Sequence, residues 1–245
     1  MSQFSNNPVG FTRPGSLLGY ESNVDSVTQS RFFNAVYSWM AAGLALTAVV
    51  AWAVADSPSL TAVARNGLVL IAAFVVELGL VIAISGAINR ISAATATALF
   101  MLYSAINGFV LSMLVWSYSH TSLGGTFAVT AGTFAAMSVY GYTTKRDLTR
   151  IGSLLFMALF GIIIASVVNF FFASSLLYWG ITYVGVLIFV GLTAYDTQKL
   201  RVIATQTSGN PALASRRAIV GSLLLYLDFI NLFLLLLRLM GNRRN

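Results

Sequence analysis

Read for polarity alone, the chain is a series of long apolar stretches separated by short polar breaks. Seven stretches are each close to 20 residues long or longer: 33–55, 67–88, 92–118, 126–142, 151–172, 177–200 and 218–237. A helix needs about 20 apolar residues to cross roughly 30 Å of hydrocarbon, so the pattern predicts seven transmembrane helices. The stretches are continuously apolar rather than alternating in polarity, which argues against a transmembrane β-barrel. The first ends before Asp56-Ser57-Pro58, and the last two are separated by Ser208, Gly209 and Pro211. Such short breaks predict a compact bundle of mostly sequential neighbours. The fourth stretch is the richest in Gly, Ala and Thr, a composition suited to close helix packing. The expected organisation is a polar, disordered cytoplasmic tail over 1–32, a seven-helix transmembrane domain over 33–239 and a short basic tail over 240–245.

Composition sharpens this reading. Hydrophobic residues make up 58% of the chain and charged residues only 9%, whereas a soluble domain carries roughly 25% charged residues. There is too little charge to cover a water-facing surface. The net charge of +7 comes from basic residues set between the apolar stretches, which points to membrane topology rather than nucleic-acid binding. Arg13 and Arg31 precede the first stretch, and Arg90 follows the second. Lys145, Arg146 and Arg150 follow the fourth; Lys199, Arg201, Arg216 and Arg217 follow the core of the sixth. The alternate connections hold only Arg65 and His120. This bias predicts a cytoplasmic N-terminus. Arg238, Arg243 and Arg244 conflict with it if the seventh helix crosses fully, so both a full crossing and a re-entrant segment stay open.

Candidate chemistry is sparse. The absence of cysteine excludes disulfides and thiolate metal sites. A single histidine, His120, excludes a histidine metal cluster and is poorly placed for a serine–histidine protease within the membrane. No phosphate-binding loop or dinucleotide fingerprint is present. The chain is expected not to be an enzyme and to need no cofactor.

Three acids stand out because charge is costly in hydrocarbon: Glu77, Asp196 and Asp228. Asp196 lies in GLTAYDTQKLR (191–201) and Asp228 in LLLYLDFINLF (223–233). If the sixth helix ends near Thr205 and the seventh starts near Pro211, the two acids differ in depth by roughly 12 Å of rise. They reach one depth only if the first residues of the seventh helix lie along the interface or form an offset turn. Brought within hydrogen-bond reach, the pair would share one proton and act as a pH sensor. Deprotonated, it would offer oxygen ligands to a hard cation such as calcium. The alternative is that Asp196 simply pairs with Lys199 or Arg201. Glu77 could take a hydrogen bond from another helix, with Asn107 as partner or as a pore-lining amide. Arg90 is the candidate counter-charge for Asp196, or else an interfacial arginine.

The sequences at 191–201 and 225–233, with AINGFVLS (105–112) and VVELGLVIA around Glu77, resemble the Bax inhibitor-1 family (transmembrane BAX-inhibitor-motif proteins) in its bacterial inner-membrane branch. The resemblance covers about residues 31–239. It implies an all-α fold of six helices surrounding a central seventh, and a pH-sensitive calcium leak gated by the proton-sharing pair Asp196 and Asp228. It also implies Arg90 as the arginine that latches onto the first aspartate and holds the pore closed. Calcium ions, protons and the bilayer are the partners this implies. The alternative is a non-conducting regulator that binds a membrane-bound ATP-dependent protease or another integral partner.

Overall fold

The computed structural model describes residues 14–88 and 90–243, with side chains from residue 27 onward. Eight helices follow one another: α1 (Pro14–Asp56), α2 (Pro58–Ala64), α3 (Gly67–Ala87), α4 (Ala93–Ser117), α5 (His120–Thr143), α6 (Thr149–Phe172), α7 (Ser175–Gln206) and α8 (Pro211–Met240). All but the seven-residue α2 contain a stretch long and apolar enough to cross a membrane. The boundaries are set by local chemistry at the polar breaks. Asn66, Ser92, Ser119, Ser174 and Asn210 cap helix starts by accepting a backbone N–H in the first turn, which satisfies donors that have no intrahelical partner. Pro58 and Pro211 open α2 and α8 at the position where a missing N–H costs nothing.

Helix α1 begins at Pro14, within the expected tail, while 1–13 lie outside the described residues. Once the apolar part of α1 is helical, extending it adds hydrogen bonds without a new nucleation step, and no Gly or Pro interrupts 20–32. Of the two readings left open for the seventh stretch, the structure has the full-length helix, long and apolar enough to cross. Helix α8 has 30 residues, about 45 Å of rise, and the residues after it reach the α4–α5 connection. There the Asn242 carbonyl accepts from the Ser119 N–H at 3.3 Å, and the Asn242 N–H donates to Ser122 Oγ at 2.9 Å.

The bundle therefore has two distinct ends. At one, Gln29 donates to Thr205 at 3.1 Å, and Ile88 and Ile91 share an apolar cluster with Phe32, Leu200 and Ala218. The breaks after α3, α5 and α7 meet there, and with them most of the basic residues. At the opposite end the Trp116 indole donates to the Ala55 carbonyl at 3.2 Å, and Trp52 stacks on His120 with ring centroids 4.6 Å apart.

Burial is uneven. In α8, 61% of the most apolar window is buried, against 11% in α3 and 6% in α6. Helix α8 packs against α1, α3, α4, α5 and α7, while α6 packs on α7. The outer faces of α3 and α6 expose large side chains such as Leu68, Phe74, Phe160 and Phe170. A surface this apolar is stable only when hydrocarbon, not water, covers it.

The fourth stretch uses its small residues less than its composition suggests. Gly141 meets the backbone of Ala194 on α7, but Gly124, Gly125 and Gly132 have nothing within 4 Å of where a side chain would begin. Helix α5 instead leaves an apolar cavity of about 590 Å³ between itself and α1, with Phe229 of α8 lining it. Phe33 and Tyr142 meet edge to face at 5.0 Å on its wall.

Candidate functional site: buried carboxyl groups of the bundle

Asp196 and Asp228 come together. Their carboxyl groups lie within hydrogen-bonding reach of each other, and the residues are only 1% and 4% exposed. The depth mismatch disappears because α8 overhangs α7 at the basic end. No residue of α8 before Ala218 is buried, so its first turns add length without entering the core. Leu200 of α7 then packs against Gly221 of α8. One turn deeper on α7 and about two turns deeper on α8, the aspartates face each other. The offset is taken up by these first turns of α8, which are regular helix from Pro211 onward.

Two oxygens of the pair, Asp196 Oδ1 and Asp228 Oδ2, are buried without a hydrogen-bond partner. Buried polar atoms are rarely left so, and two facing carboxyl groups with free lone pairs can hold a proton or an incoming cation. The pairing of Asp196 with its own helix does not occur. The Arg201 guanidinium donates to the Tyr142 carbonyl at 2.5 Å, and Lys199 is exposed, acting on Asp196 only through its field.

Arg90 sits at the same end of the bundle but is exposed, and among the described residues it forms no ion pair with Asp196. The latch that the resemblance implies is not formed in this conformation. Arg90→Gln is accordingly expected to change stability by no more than about 0.5 kcal/mol, the range of surface substitutions away from special features. Denaturation in detergent checks this; a loss of 2 kcal/mol or more would show that Arg90 holds this conformation together.

Glu77 and Asn107 form a second buried group nearer the middle of the bundle. Glu77 is 7% exposed, and the Asn107 amide lies beside both it and the Tyr103 hydroxyl. Glu77 Oε1 and Asn107 Oδ1 remain without partners. Nearby, the Tyr226 hydroxyl meets Thr47 Oγ1 at 2.7 Å, and Thr47 reaches the carbonyls of Ser104 and Gly43 at 2.8 and 2.9 Å. Sequence reasoning passed over Thr47 and Tyr226. Their one signal was a hydroxyl within an apolar stretch, which is common and unspecific.

Neither group is a closed metal site: among the described residues no three His, Cys, Asp or Glu side chains converge. Calcium takes six to eight oxygens, more than the side chains of the aspartate pair alone can supply.

Comparison with known proteins agrees with the fold. Residues 29–245 match the sequence model of the family described as inhibitor of apoptosis-promoting Bax1. The chain is 51% identical to the inner membrane protein YbhL of Escherichia coli K12 over 227 residues, 90% of this chain and 97% of that one. A protein of Borreliella burgdorferi is 50% identical, covering 89% and 94% of the two chains. A membrane protein of Streptococcus pyogenes serotype M6 is 35% identical, covering 86% and 93%. With seven membrane-length helices, these relatives make the chain a multi-pass inner-membrane protein.

Proposed function

Because the chain belongs to the Bax inhibitor-1 family, we propose that it is a pH-sensitive cation leak, with calcium as the permeant ion and Asp196 and Asp228 as the gate. The observation that carries this reading is the meeting of two carboxyl groups in a poorly hydrated interior. With one proton between them, the α7–α8 contact is neutral enough to stay closed. Removing that proton leaves two like charges side by side, which favours separating the helices or admitting a cation. The leak therefore rises as pH rises. Release of Arg90 plays no part in this sign, since Arg90 does not hold Asp196 in the closed form.

The basic end of the bundle, carrying Arg31, Arg90, Lys145, Arg146, Arg150, Lys199 and Arg201, is assigned to the cytoplasm by the positive-inside rule. The gate then lies about 15 Å of helical rise from the cytoplasmic end of α7. Calcium efflux from liposomes containing the purified protein tests the reading. The flux is expected to exceed that of protein-free liposomes and to grow between pH 6 and pH 8. Equal flux with and without protein across that range would overturn it and leave a non-conducting role in binding an integral partner.

A further inference from the structure

The basic end carries a second feature that the gate does not use. Beneath the α5–α6 connection is a cavity of about 500 Å³, lined among others by Lys145, Arg146, Lys199 and Arg201, with Asp147 the sole acid. The four cations come from two separate segments, the connection itself and the last turns of α7. Topology alone would place basic residues at this end of the bundle but would not gather them around one hollow.

The hollow is built rather than incidental. Gln198 of α7 holds the connection from both sides: its Oε1 accepts from the Leu148 N–H at 2.9 Å, and its Nε2 donates to the Arg146 carbonyl at 2.8 Å. Arg201 fixes the start of the connection by donating to the Tyr142 carbonyl, which leaves most of its five N–H donors unspent. The acid is engaged by the start of α6. Asp147 Oδ1 accepts from the Thr149 N–H at 2.9 Å, and the Thr149 hydroxyl and N–H hold its carboxyl below the usual carboxylate range. Among the described residues none of the four cations is engaged in a salt bridge. An anion entering the hollow would displace no ion-pair partner of these four.

We propose that this hollow binds the phosphate of an anionic membrane lipid. Its level and lining favour a lipid over a soluble anion. It lies where α5 ends and α6 begins and is lined by exposed Val202 of α7, with exposed Ile151 and Leu154 following in the first two turns of α6, a surface an acyl chain can follow into the bilayer. Tyr195, Val202 and Ile203 contribute apolar lining, which a fully hydrated ion would not need. Lys and Arg clusters at the cytoplasmic face attract anionic headgroups in this way. The site stands independently of the cation reading, because binding is measured without flux.

The test uses the full-length protein in detergent, with native mass spectrometry and thermal stability read as phosphatidylglycerol or phosphatidylcholine is added. Wild type is expected to bind phosphatidylglycerol at least about tenfold more tightly, and the combined Lys145→Gln, Arg146→Gln and Lys199→Gln variant to lose that preference. Lys145→Arg with Lys199→Arg is expected to keep it, which separates lost charge from a damaged fold. Arg150→Gln, beside the hollow in sequence but not lining it, is also expected to keep it. The proposal is overturned by equal binding of the two lipids, or by a loss in Arg150→Gln as large as in the triple variant. It is overturned as well if millimolar inorganic phosphate displaces the lipid, which would make the site one for a soluble anion.

Discussion

Exchanging Asp228 for asparagine is expected to flatten the pH dependence of calcium flux, and Asp196→Asn to do the same. In the closed form one carboxyl group must donate a proton to the other, because two carboxylates have acceptors only. An asparagine amide donates to the remaining aspartate at every pH, as the protonated acid does, and it cannot be titrated. Two unit charges about 4 Å apart repel by roughly 4 kcal/mol at an effective dielectric of 20. On the proposed mechanism, that repulsion opens the wild-type pair and is absent from either variant. Both should therefore leak at the wild-type acid-pH rate throughout, with a response between pH 6 and pH 8 reduced from several-fold to less than about twofold. Efflux of a calcium-sensitive dye's ion from liposomes, recorded at several pH values for the three proteins, measures it. Coincident profiles for all three would show that the pair is not the sensor, even if the protein conducts.

How far the sequence reveals this site follows from what each signal depends on. The helices were legible because a membrane span depends on composition over about 20 residues, and α3, α4 and α6 fall within about two residues of the expected ends. Where a helix leaves the hydrocarbon the signal fades, so the polar breaks allow helix ends near Thr205 and Pro211, close to the observed Gln206 and Pro211, but do not fix them. Those ends decide whether the aspartates meet. The depth calculation exposed the need for an offset, but only the packing of Leu200 on Gly221 reveals where it is taken up. Helix α2, with seven residues, is too short for hydrophobic periodicity to reveal. The acids were found because ionisable groups are rare at this depth, whereas Thr47 and Tyr226 resemble dozens of ordinary membrane residues. Arg90 is the contrasting case: its position along the chain is right for a latch, but the direction of a long interfacial side chain is a tertiary property.

Gly141→Leu is expected to disrupt the bundle beside the aspartate pair. A side chain at this position would start in contact with the Ala194 carbonyl, well inside van der Waals distance, and the atoms in its way are backbone. A side-chain neighbour could rotate aside, but a carbonyl inside α7 cannot move without breaking the hydrogen-bond ladder that carries Asp196 two residues later. Helices α5 and α7 must then separate, which exposes Asp196 and leaves the buried hydroxyl of Ser138, one turn earlier on α5, among displaced neighbours. Overpacking a tight contact costs typically 1–3 kcal/mol and occasionally more, and the rigid backbone on both sides puts this case at or above about 3 kcal/mol. Gly132→Leu on the same helix supplies the comparison, because nothing lies within 4 Å of its Cβ direction and leucine has a better helix propensity than glycine. The fraction of protein remaining monodisperse on size-exclusion chromatography after heating in detergent should fall sharply for Gly141→Leu and stay at the wild-type level for Gly132→Leu. Equal retention of the two variants would mean that α5 and α7 are not held at backbone contact, and that Asp196 is not fixed opposite Asp228 by this seam.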